Sequence, residues 1–507
     1  MKMKRNENKL GFVVAGLLLG ILMASMDNTI VVTAMGTIVG DLGGLNSFVW
    51  VVSAYMVAEM AGMPIFGKLS DMYGRKRFFI FGLVFFMLGS ALCGTSESIL
   101  QLGIYRAIQG IGGGALVPIA FTIVFDIFPP EKRGKMGGLF GAVFGLSSIF
   151  GPLLGAYITD YISWHWVFYI NLPLGILALV FISMFYNESK GHEKQTIDWW
   201  GAATLVGAVV CLMFALELGG QKYNWDSIEI IGLFSGFSLL SIIFLFIENN
   251  VSSPIISFSM FKNRLFAGST IVALFYGAAF MAATVYIPIF VQGVYGGTAT
   301  NSGLILLPMM LGSVVTAQVG GFLTSKMSYR SIMILSGIIF IIGMVLLSTL
   351  TPETNRIWLT FYMIIVGFGV GFSFSVLSMA AIHNFGIEQR GSATSTSNFI
   401  RSLGMTIGIS VFGTIQSNGF TEELTKTFSG MGAAFKSGMS GNAREVLSAS
   451  ARDQIPAEVL SKITSALSTS IVHTFMWGLI PACLAFLFVF MMGKERMKIT
   501  RDPGKSM

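Results

Sequence analysis

Apolar runs long enough to cross a lipid bilayer recur along the whole chain. A helix needs about 20 residues to span about 30 Å of hydrocarbon, and its backbone groups must hydrogen-bond within the segment. None of the runs alternates polar and apolar residues with the period of two that a membrane β-barrel requires. The pattern therefore predicts fourteen transmembrane helices, near residues 11–36, 47–67, 78–96, 99–125, 135–158, 164–186, 198–218, 228–248, 266–292, 301–323, 330–350, 357–382, 395–417 and 470–492.

The composition agrees with this pattern. Of the 507 residues, 54% are hydrophobic and 11% are charged, whereas about 25% of the residues of a soluble protein are charged. The chain therefore has too little polar surface for a water-exposed globule, and we predict an all-α polytopic membrane protein. Three cysteines, Cys93, Cys211 and Cys483, and four histidines are widely scattered. They match neither a disulfide framework nor a metal-ligand pattern, so we expect neither a metal nor another cofactor.

Basic residues concentrate on one side of the predicted membrane topology. An even number of spans puts both termini on the same side of the membrane. Most of the 32 Lys and Arg residues, including the run 75–77, then lie on that side. The short loops on the other side contain only Lys222 and Arg356. The positive-inside rule places both termini in the cytoplasm. The net charge of +7 is thus explained by orientation and by contact with membrane lipid, and it requires no nucleic acid.

Two glycine-rich stretches recur at a fixed distance. GIGGG at 110–114 is matched 257 residues later by GFGVG at 367–371. Chance similarity between glycine-rich apolar sequences is the competing interpretation. The repeat predicts two six-helix bundles, residues 1–190 and 263–507, joined by two additional helices within 191–262. Two such bundles, with a substrate site between them near the bilayer midplane, are typical of secondary transporters.

A loop with one acid and a basic triplet follows the second predicted span. It reads GKLSDMYGRKR, residues 67–77, and the positive-inside rule explains its basic residues but not its acid. The loop resembles the major facilitator superfamily signature, G-x-x-x-D-x-x-G-R-K, which implies a charge network that stabilises one conformation. Met72 departs from the signature, because the family has a basic residue there. The matching residues are Gly67, Asp71, Gly74, Arg75 and Lys76.

Four further stretches resemble motifs of that superfamily, and three of these motifs belong to its drug-exporting branches. Arg106, followed by Gln109-Gly110, resembles the fourth-helix motif R-x-x-Q-G. MDNTIVVTA at 26–34 and WHWVFYINLPLG at 164–175 resemble motifs of the fourteen-span drug/proton antiporters. The antiporter motif of the fifth span is resembled by Gly138, Gly151, Pro152 and Gly155, with Ser147 and Ala156 in place of two glycines.

The resemblance implies a fold and a function. It predicts the major facilitator fold and a proton-coupled exporter of the multidrug or quaternary-ammonium type. Such an antiporter acts in the bacterial plasma membrane, takes amphipathic and often cationic small molecules, needs no cofactor and functions as a monomer. Export of one physiological compound, such as an antibiotic, lipid or metabolite, is the alternative within transport. A membrane-embedded enzyme or sensor is the remote alternative, because the sequence shows neither a catalytic cluster nor a soluble domain.

Charged residues within the predicted spans are the candidates for chemistry, because ionised groups are costly in lipid. We expect Asp27 and Glu59 to bind protons or cationic substrates, and we expect Arg106 to influence their protonation. The alternatives are structural carboxylates satisfied by neighbouring groups and, for Arg106, an ion pair between helices. Arg401, near the start of the thirteenth span, is expected to extend to the cytoplasmic surface.

Weaker signals concern helix packing and the substrate pocket. Glycines four residues apart predict close contacts between helices. Such pairs lie at 141 and 145, 151 and 155, and 404 and 408. The segment 418–469 is expected to be a mobile outer loop. Candidate residues for the pocket wall are Tyr55, Tyr169, Asn171, Tyr276, Tyr286 and Gln292.

Overall fold

The computed structural model describes residues 2–42, 49–188, 197–220, 222–297, 299–428 and 456–497. These residues form helices joined mostly by short loops. The α-helices are α1 (Lys2–Leu42), α2 (Val49–Tyr73), α3 (Arg75–Cys93), α4 (Ile99–Ile127), α5 (Pro130–Tyr161), α6 (Trp166–Tyr169), α7 (Asn171–Phe185), α8 (Trp199–Leu218), α9 (Ile228–Asn250), α10 (Arg264–Gly293), α11 (Ala299–Leu323), α12 (Tyr329–Leu347), α13 (Arg356–Ile382), α14 (Arg390–Thr427) and α15 (Ala457–Val489). Short 3-10 helices at Phe258–Lys262 and Ile387–Gln389 precede α10 and α14.

Each of the fourteen predicted spans coincides with a helical segment. Twelve segments of the described chain are long and apolar enough to cross a membrane, and α6 with α7 counts as one of them. The remaining helices of comparable length, α2 and α14, carry charged or hydroxyl side chains along their length. The architecture is therefore all-helical with twelve candidate transmembrane helices.

Two predicted elements differ from the structure. The sixth span is divided into α6 and α7 at Ile170, because Pro173 has no N–H to donate to the carbonyl of Tyr169. The segment 418–469 was expected to be a loop, but α14 continues to Thr427 and α15 begins at Ala457. Helices thus cover both ends of that segment, and its middle part, 429–455, lies outside the described residues.

The first glycine of each repeated cluster contacts its neighbouring helix in the same way. A Cβ atom on Gly110 of α4 would lie 2.4 Å from the carbonyl oxygen of Tyr55 on α2. A Cβ atom on Gly367 of α13 would lie 2.1 Å from the carbonyl oxygen of Met309 on α11. Only a residue without a side chain allows these backbones to approach so closely.

The middle glycine of each cluster repeats this correspondence on the opposite side of the helix. A Cβ on Gly112 would lie 2.3 Å from the backbone nitrogen of Phe86 on α3, and one on Gly369 would lie 2.4 Å from the Cα of Phe340 on α12. The helices α2, α3 and α4 therefore pack by the same glycine contacts as α11, α12 and α13. We refer to α1–α7 as the first group and to α10–α15 as the second group.

Helix α8 lies beside the contact between the two groups. Its Val209 shares a buried apolar cluster with Met60 of α2 and Phe399 of α14. The hydroxyl of Ser410 on α14 donates a hydrogen bond to the carbonyl of Leu216 on α8 at 2.9 Å. Helix α8 in turn packs on α9, so these two helices form a pair at the side of the molecule.

Candidate proton and substrate site

The carboxylate of Asp27 lies inside the first group with no solvent exposure. Its Oδ1 accepts hydrogen bonds from Gln109 Nε2 at 2.7 Å and from Asn171 Nδ2 at 3.1 Å. Its Oδ2 forms an ion pair with Nη1 of Arg106. Residues of α1, α4 and α7 therefore converge on one buried carboxylate, which we name the Asp27 cluster.

Local geometry brings these side chains together. Arg106 and Gln109 are three residues apart on α4 and so share one helix face, and Arg106 Nη1 also donates to Gln109 Oε1 at 2.7 Å. The hydroxyl of Ser90 on α3 accepts from Gln109 at 3.2 Å and from Asn171 at 3.0 Å. Gly89 permits this approach, because a Cβ there would lie 2.4 Å from the backbone nitrogen of Gln109.

The guanidinium of Arg106 is as deeply buried as the carboxylate it binds. Its Nε donates to the Val51 carbonyl at 3.2 Å, and the group lies 4.2 Å from the ring centre of Tyr55. Its Nη2 has no hydrogen-bond partner among the described residues. Paired charges cost far less to bury than single ones, and removal of one partner leaves the other uncompensated. Protonation of Asp27 would therefore change the whole cluster.

Glu59 lies outside the Asp27 cluster. It follows Tyr55 by one helical turn on α2 and is half-buried. The side chain of Asn28, the residue after Asp27, forms a hydrogen bond with it. The two predicted acids thus occupy different environments, since Asp27 is fully enclosed within the first group and the Glu59 residue is only half-buried.

A second polar network joins the two groups at the helix ends near Arg75. The Asp71 carboxylate accepts hydrogen bonds from the backbone N–H groups of Gly391 at 2.9 Å and Ser392 at 2.7 Å. These N–H groups belong to the first turn of α14, where a negative charge is favoured by the helix dipole. Arg75 lies one turn after Asp71 and bridges to it at 3.3 Å.

Asp126, at the end of α4, completes this network. It forms ion pairs with Arg75 and, at 3.1 Å, with Arg390 of α14. Sequence reasoning did not single out Asp126, although an acid in the last turn of a membrane helix was a usable signal. The gate network, as we call it below, consists of Arg75, Asp71, Asp126, Arg390 and the α14 N-terminus.

The remaining residues of the signature position the start of α3. Gly74 has a φ of 110°, a backbone conformation that suits glycine. Lys76 donates to the carbonyls of Ser183 at 2.8 Å and Tyr186 at 2.6 Å. A Cβ on Gly67 would lie 2.0 Å from the Ser395 hydroxyl oxygen. The signature therefore fixes both the α2–α14 contact and the contact of α3 with the end of α7.

The antiporter-like motif of α5 contacts two different helices. A Cβ on Gly138 would lie 2.4 Å from the Gln318 side chain on α11, so this part faces the second group. A Cβ on Gly151 would lie 1.9 Å from Thr29 Oγ1, and one on Gly155 would lie 2.1 Å from Thr33 Oγ1, both on α1. Pro152 lies between these two glycines inside α5.

The expected pocket wall is mostly packed core. Tyr55 and Asn171 belong to or border the Asp27 cluster. Tyr276 is buried and hydrogen-bonds Ser336 at 2.8 Å. Tyr169 donates to the Gly94 carbonyl at 2.7 Å, Tyr286 is buried, and Gln292 is exposed near the end of α10. The structure therefore does not bring these six residues together around one cavity.

Arg401 does not extend to a membrane surface, contrary to the sequence-based expectation. Its Nη2 donates to the carbonyl of Ser373 at 3.0 Å. Ser373 lies nine residues before the end of α13 at Ile382, which corresponds to about 14 Å of helix. The helix α14 begins earlier than predicted, at Arg390, so Arg401 is an interior residue.

The sequence and the fold are similar to those of known membrane transporters. Residues 17–409 match the Major Facilitator Superfamily. Multidrug resistance protein 3 of Bacillus subtilis (strain 168) is 59% identical over 497 residues, 97% of either chain. Multidrug transporter protein MdtP of the same organism is 38% identical and aligns with 82% of this chain and 77% of its own. The solved structure of the proton:xylose symporter XylE has 13% identity, a TM-score of 0.61 and 96% coverage of both chains, which shows a shared fold.

Proposed function

The chain belongs to the Major Facilitator Superfamily and is a multi-pass membrane transporter rather than an enzyme, and on this premise we propose that it exports amphipathic, mainly cationic drugs in exchange for protons. The names of the two Bacillus relatives support the drug substrates. The proposal includes a plasma-membrane location, fourteen spans, cytoplasmic termini, a monomeric unit and no cofactor. It also keeps the boundaries of the bundles at 1–190 and 263–507, with the inserted helices within 191–262.

The buried pair of Asp27 and Arg106 is the observation that carries the proton-coupling part of the proposal. A proton and the Arg106 guanidinium compete for the same carboxylate oxygen. When a proton binds, Arg106 retains its hydrogen bonds to the Val51 carbonyl and to Gln109. The hydrogen bonds of the cluster therefore have two alternative arrangements. A group that takes up and releases a proton during transport requires two such arrangements.

Glu59 is proposed to bind the positive charge of the substrate. It is half-buried and held by Asn28, so a cation that approaches Glu59 competes with the Asn28 amide. Asn28 is adjacent to Asp27 in α1. A shift of α1 at Asn28 is thus transmitted directly to the proton-binding cluster, which links the two binding events through one short stretch of helix.

The gate network supports the alternating-access part of the proposal. It joins α2, α3 and α4 to the start of α14 at the end of the molecule that the positive-inside rule assigns to the cytoplasm. With these contacts formed, that end is closed. Export then requires that the contacts separate to admit drug from the cytoplasm and form again to release it outside.

Reconstituted vesicles with an imposed pH gradient test the proposal. Wild-type protein is expected to accumulate ethidium only when the gradient is present. Asp27→Asn is expected to abolish the response to the gradient, and Glu59→Gln is expected to reduce transport of ethidium more than that of a neutral drug. Glu229→Gln, at the exposed start of α9, is the control and should transport normally. Full proton-coupled transport by Asp27→Asn would contradict the proposed role of the cluster.

A further inference from the structure

Arg401 lies on an interior surface of the second group. Its guanidinium lies 5.3 Å from the ring centre of Phe374 on α13, and its Nη2 donates to the Ser373 carbonyl. Phe280 of α10 packs edge-on against Phe374, with ring centres 6.0 Å apart. Side chains of α10, α13 and α14 therefore pack together around this point.

Partial exposure at this point distinguishes it from the surrounding core. Between residues 369 and 382 of α13 every residue except Phe374 is buried. Arg401 and Phe280 are also half-buried. Arg401, Phe374 and Phe280 are therefore adjoining side chains that stay partly exposed within an otherwise buried region.

Arg401 forms no ion pair with a described residue, unlike Arg75, Arg106 and Arg390, each of which binds a carboxylate. An arginine at membrane depth is costly to keep, and it is a functional candidate for that reason. Its planar guanidinium is suited to bind a carboxylate through two parallel hydrogen bonds. A carbonyl occupies one of its donors, and the other donors can serve a ligand.

Arg401 and Glu59 lie at similar depths on two helices that touch. The two helices meet where Gly67 of α2 contacts Ser395 of α14. Glu59 precedes Gly67 by eight residues and Arg401 follows Ser395 by six. At a rise of 1.5 Å per residue these positions are about 12 Å and about 9 Å from the contact. An acid of the first group and a guanidinium of the second group thus lie at about the same depth in the molecule.

We propose that Arg401 is an anion-binding subsite of the transport path and that it binds the carboxylate of zwitterionic amphiphiles. These are molecules with a carboxylate and an amine on one aromatic framework. The carboxylate binds Arg401, the aromatic framework packs on Phe374 and Phe280, and the ammonium faces Glu59. This inference rests on the proposed export function and assigns the recognition of a substrate carboxylate to one residue.

Two fluorescent dyes that differ by one carboxylate provide the test. Rhodamine B is a zwitterion, and its ethyl ester has the same ring system but only the positive charge. In vesicles with a pH gradient, Arg401→Gln is expected to lower rhodamine B transport by about tenfold or more, because a hydrogen bond to a charged group is worth about 1.5–3 kcal/mol. Transport of the ester should stay within about twofold of wild type, and Arg401→Lys should restore part of the zwitterion transport.

Arg330→Gln is the matched control, since Arg330 is also half-buried and lies 5.0 Å from an aromatic ring, that of Phe490. It should transport both dyes normally. Equal loss of both dyes in Arg401→Gln, or no loss, overturns the subsite. Wild-type protein that transports the ester but not rhodamine B overturns it as well, while the export function stands. Absence of transport of either dye contradicts the export function itself.

A competition experiment on the wild type does not depend on the folding of any variant. 2-Naphthoate, an aromatic carboxylate without a positive charge, is added to both transport assays. Selective inhibition of rhodamine B supports the subsite, because both ligands then use Arg401. Equal inhibition of both dyes, or none, overturns it.

Discussion

At the scale of single residues, one carboxylate determines the chemistry of the first group. Asp27 receives its hydrogen bonds from side chains on two other helices, and Arg106 supplies the compensating charge. Neither residue is exposed to solvent. The stability of the fold and the proposed proton exchange therefore depend on the same ion pair, so substitutions there affect both.

Arg106→Met should destabilise the protein by about 3–5 kcal/mol, because it leaves the Asp27 charge buried without its partner. The double variant Asp27→Asn with Arg106→Met should recover a large part of this loss, since neither charge remains. Thermal unfolding in detergent measures both effects as a double-mutant cycle. Additive losses in the double variant would show that the two residues do not act as a pair.

Sequence reasoning assigned a role to the charges of this cluster but not to its neutral members. Asp27 and Arg106 stood out because ionised residues are rare in lipid. Asn171 was expected in a pocket wall, and Ser90 was not singled out. Uncharged polar residues are common in membrane helices. Only the packing of α3, α4 and α7 shows that Asn171 contacts Ser90.

At the scale of helices, glycine contacts set the spacing of the bundle. The clusters on α4 and α13 each place a glycine against the backbone of the helix on either side. The prediction of helices succeeded because long apolar runs leave the backbone no alternative in lipid. The interruption at Ile170 and the lengths of α14 and α15 were missed, because local breaks and polar helical extensions carry little hydrophobic signal.

Gly369→Ala should lower the thermal stability of the protein by several degrees. Its Cβ would lie 2.4 Å from the Cα of Phe340, so α12 and α13 would have to separate. Gly232→Ala on α9 is the matched control, since a Cβ there meets no atom within 4 Å. Alanine is favoured over glycine in a helix by about 0.5–1 kcal/mol, so the control should be neutral or slightly stabilised. Equal behaviour of the two variants in a thermal unfolding assay would contradict the packing argument.

At the scale of the whole molecule, the gate network connects the groups at one end. Asp71 accepts two backbone hydrogen bonds from α14, and Asp126 binds an arginine from each group. The signature loop was recognisable from the sequence, but its partners in α14 are about 320 residues away. No local pattern could reveal that contact, which only the assembled fold creates.

Asp71→Asn should weaken the closed end. The amide of Asn keeps one acceptor oxygen and has an NH₂ group in place of the second carboxylate oxygen. The N–H groups of Gly391 and Ser392 therefore lose charge-assisted hydrogen bonds worth about 1.5–3 kcal/mol. Hydrogen–deuterium exchange of residues 390–396 should become about tenfold faster. Asp41→Asn, which changes the acceptor of a 2.8 Å hydrogen bond from Trp164 near the C-terminus of α1, should leave this segment unchanged. Unaltered exchange in Asp71→Asn would argue against a gate.

The contact between α1 and α5 has a consequence for energy conservation. Thr29 and Thr33 sit against Gly151 and Gly155, within two turns of Asp27 on the same helix. If Asp27 carries the proton as proposed, a bulkier residue at Gly155 would force α1 and α5 apart close to Asp27, and protons would then pass without substrate.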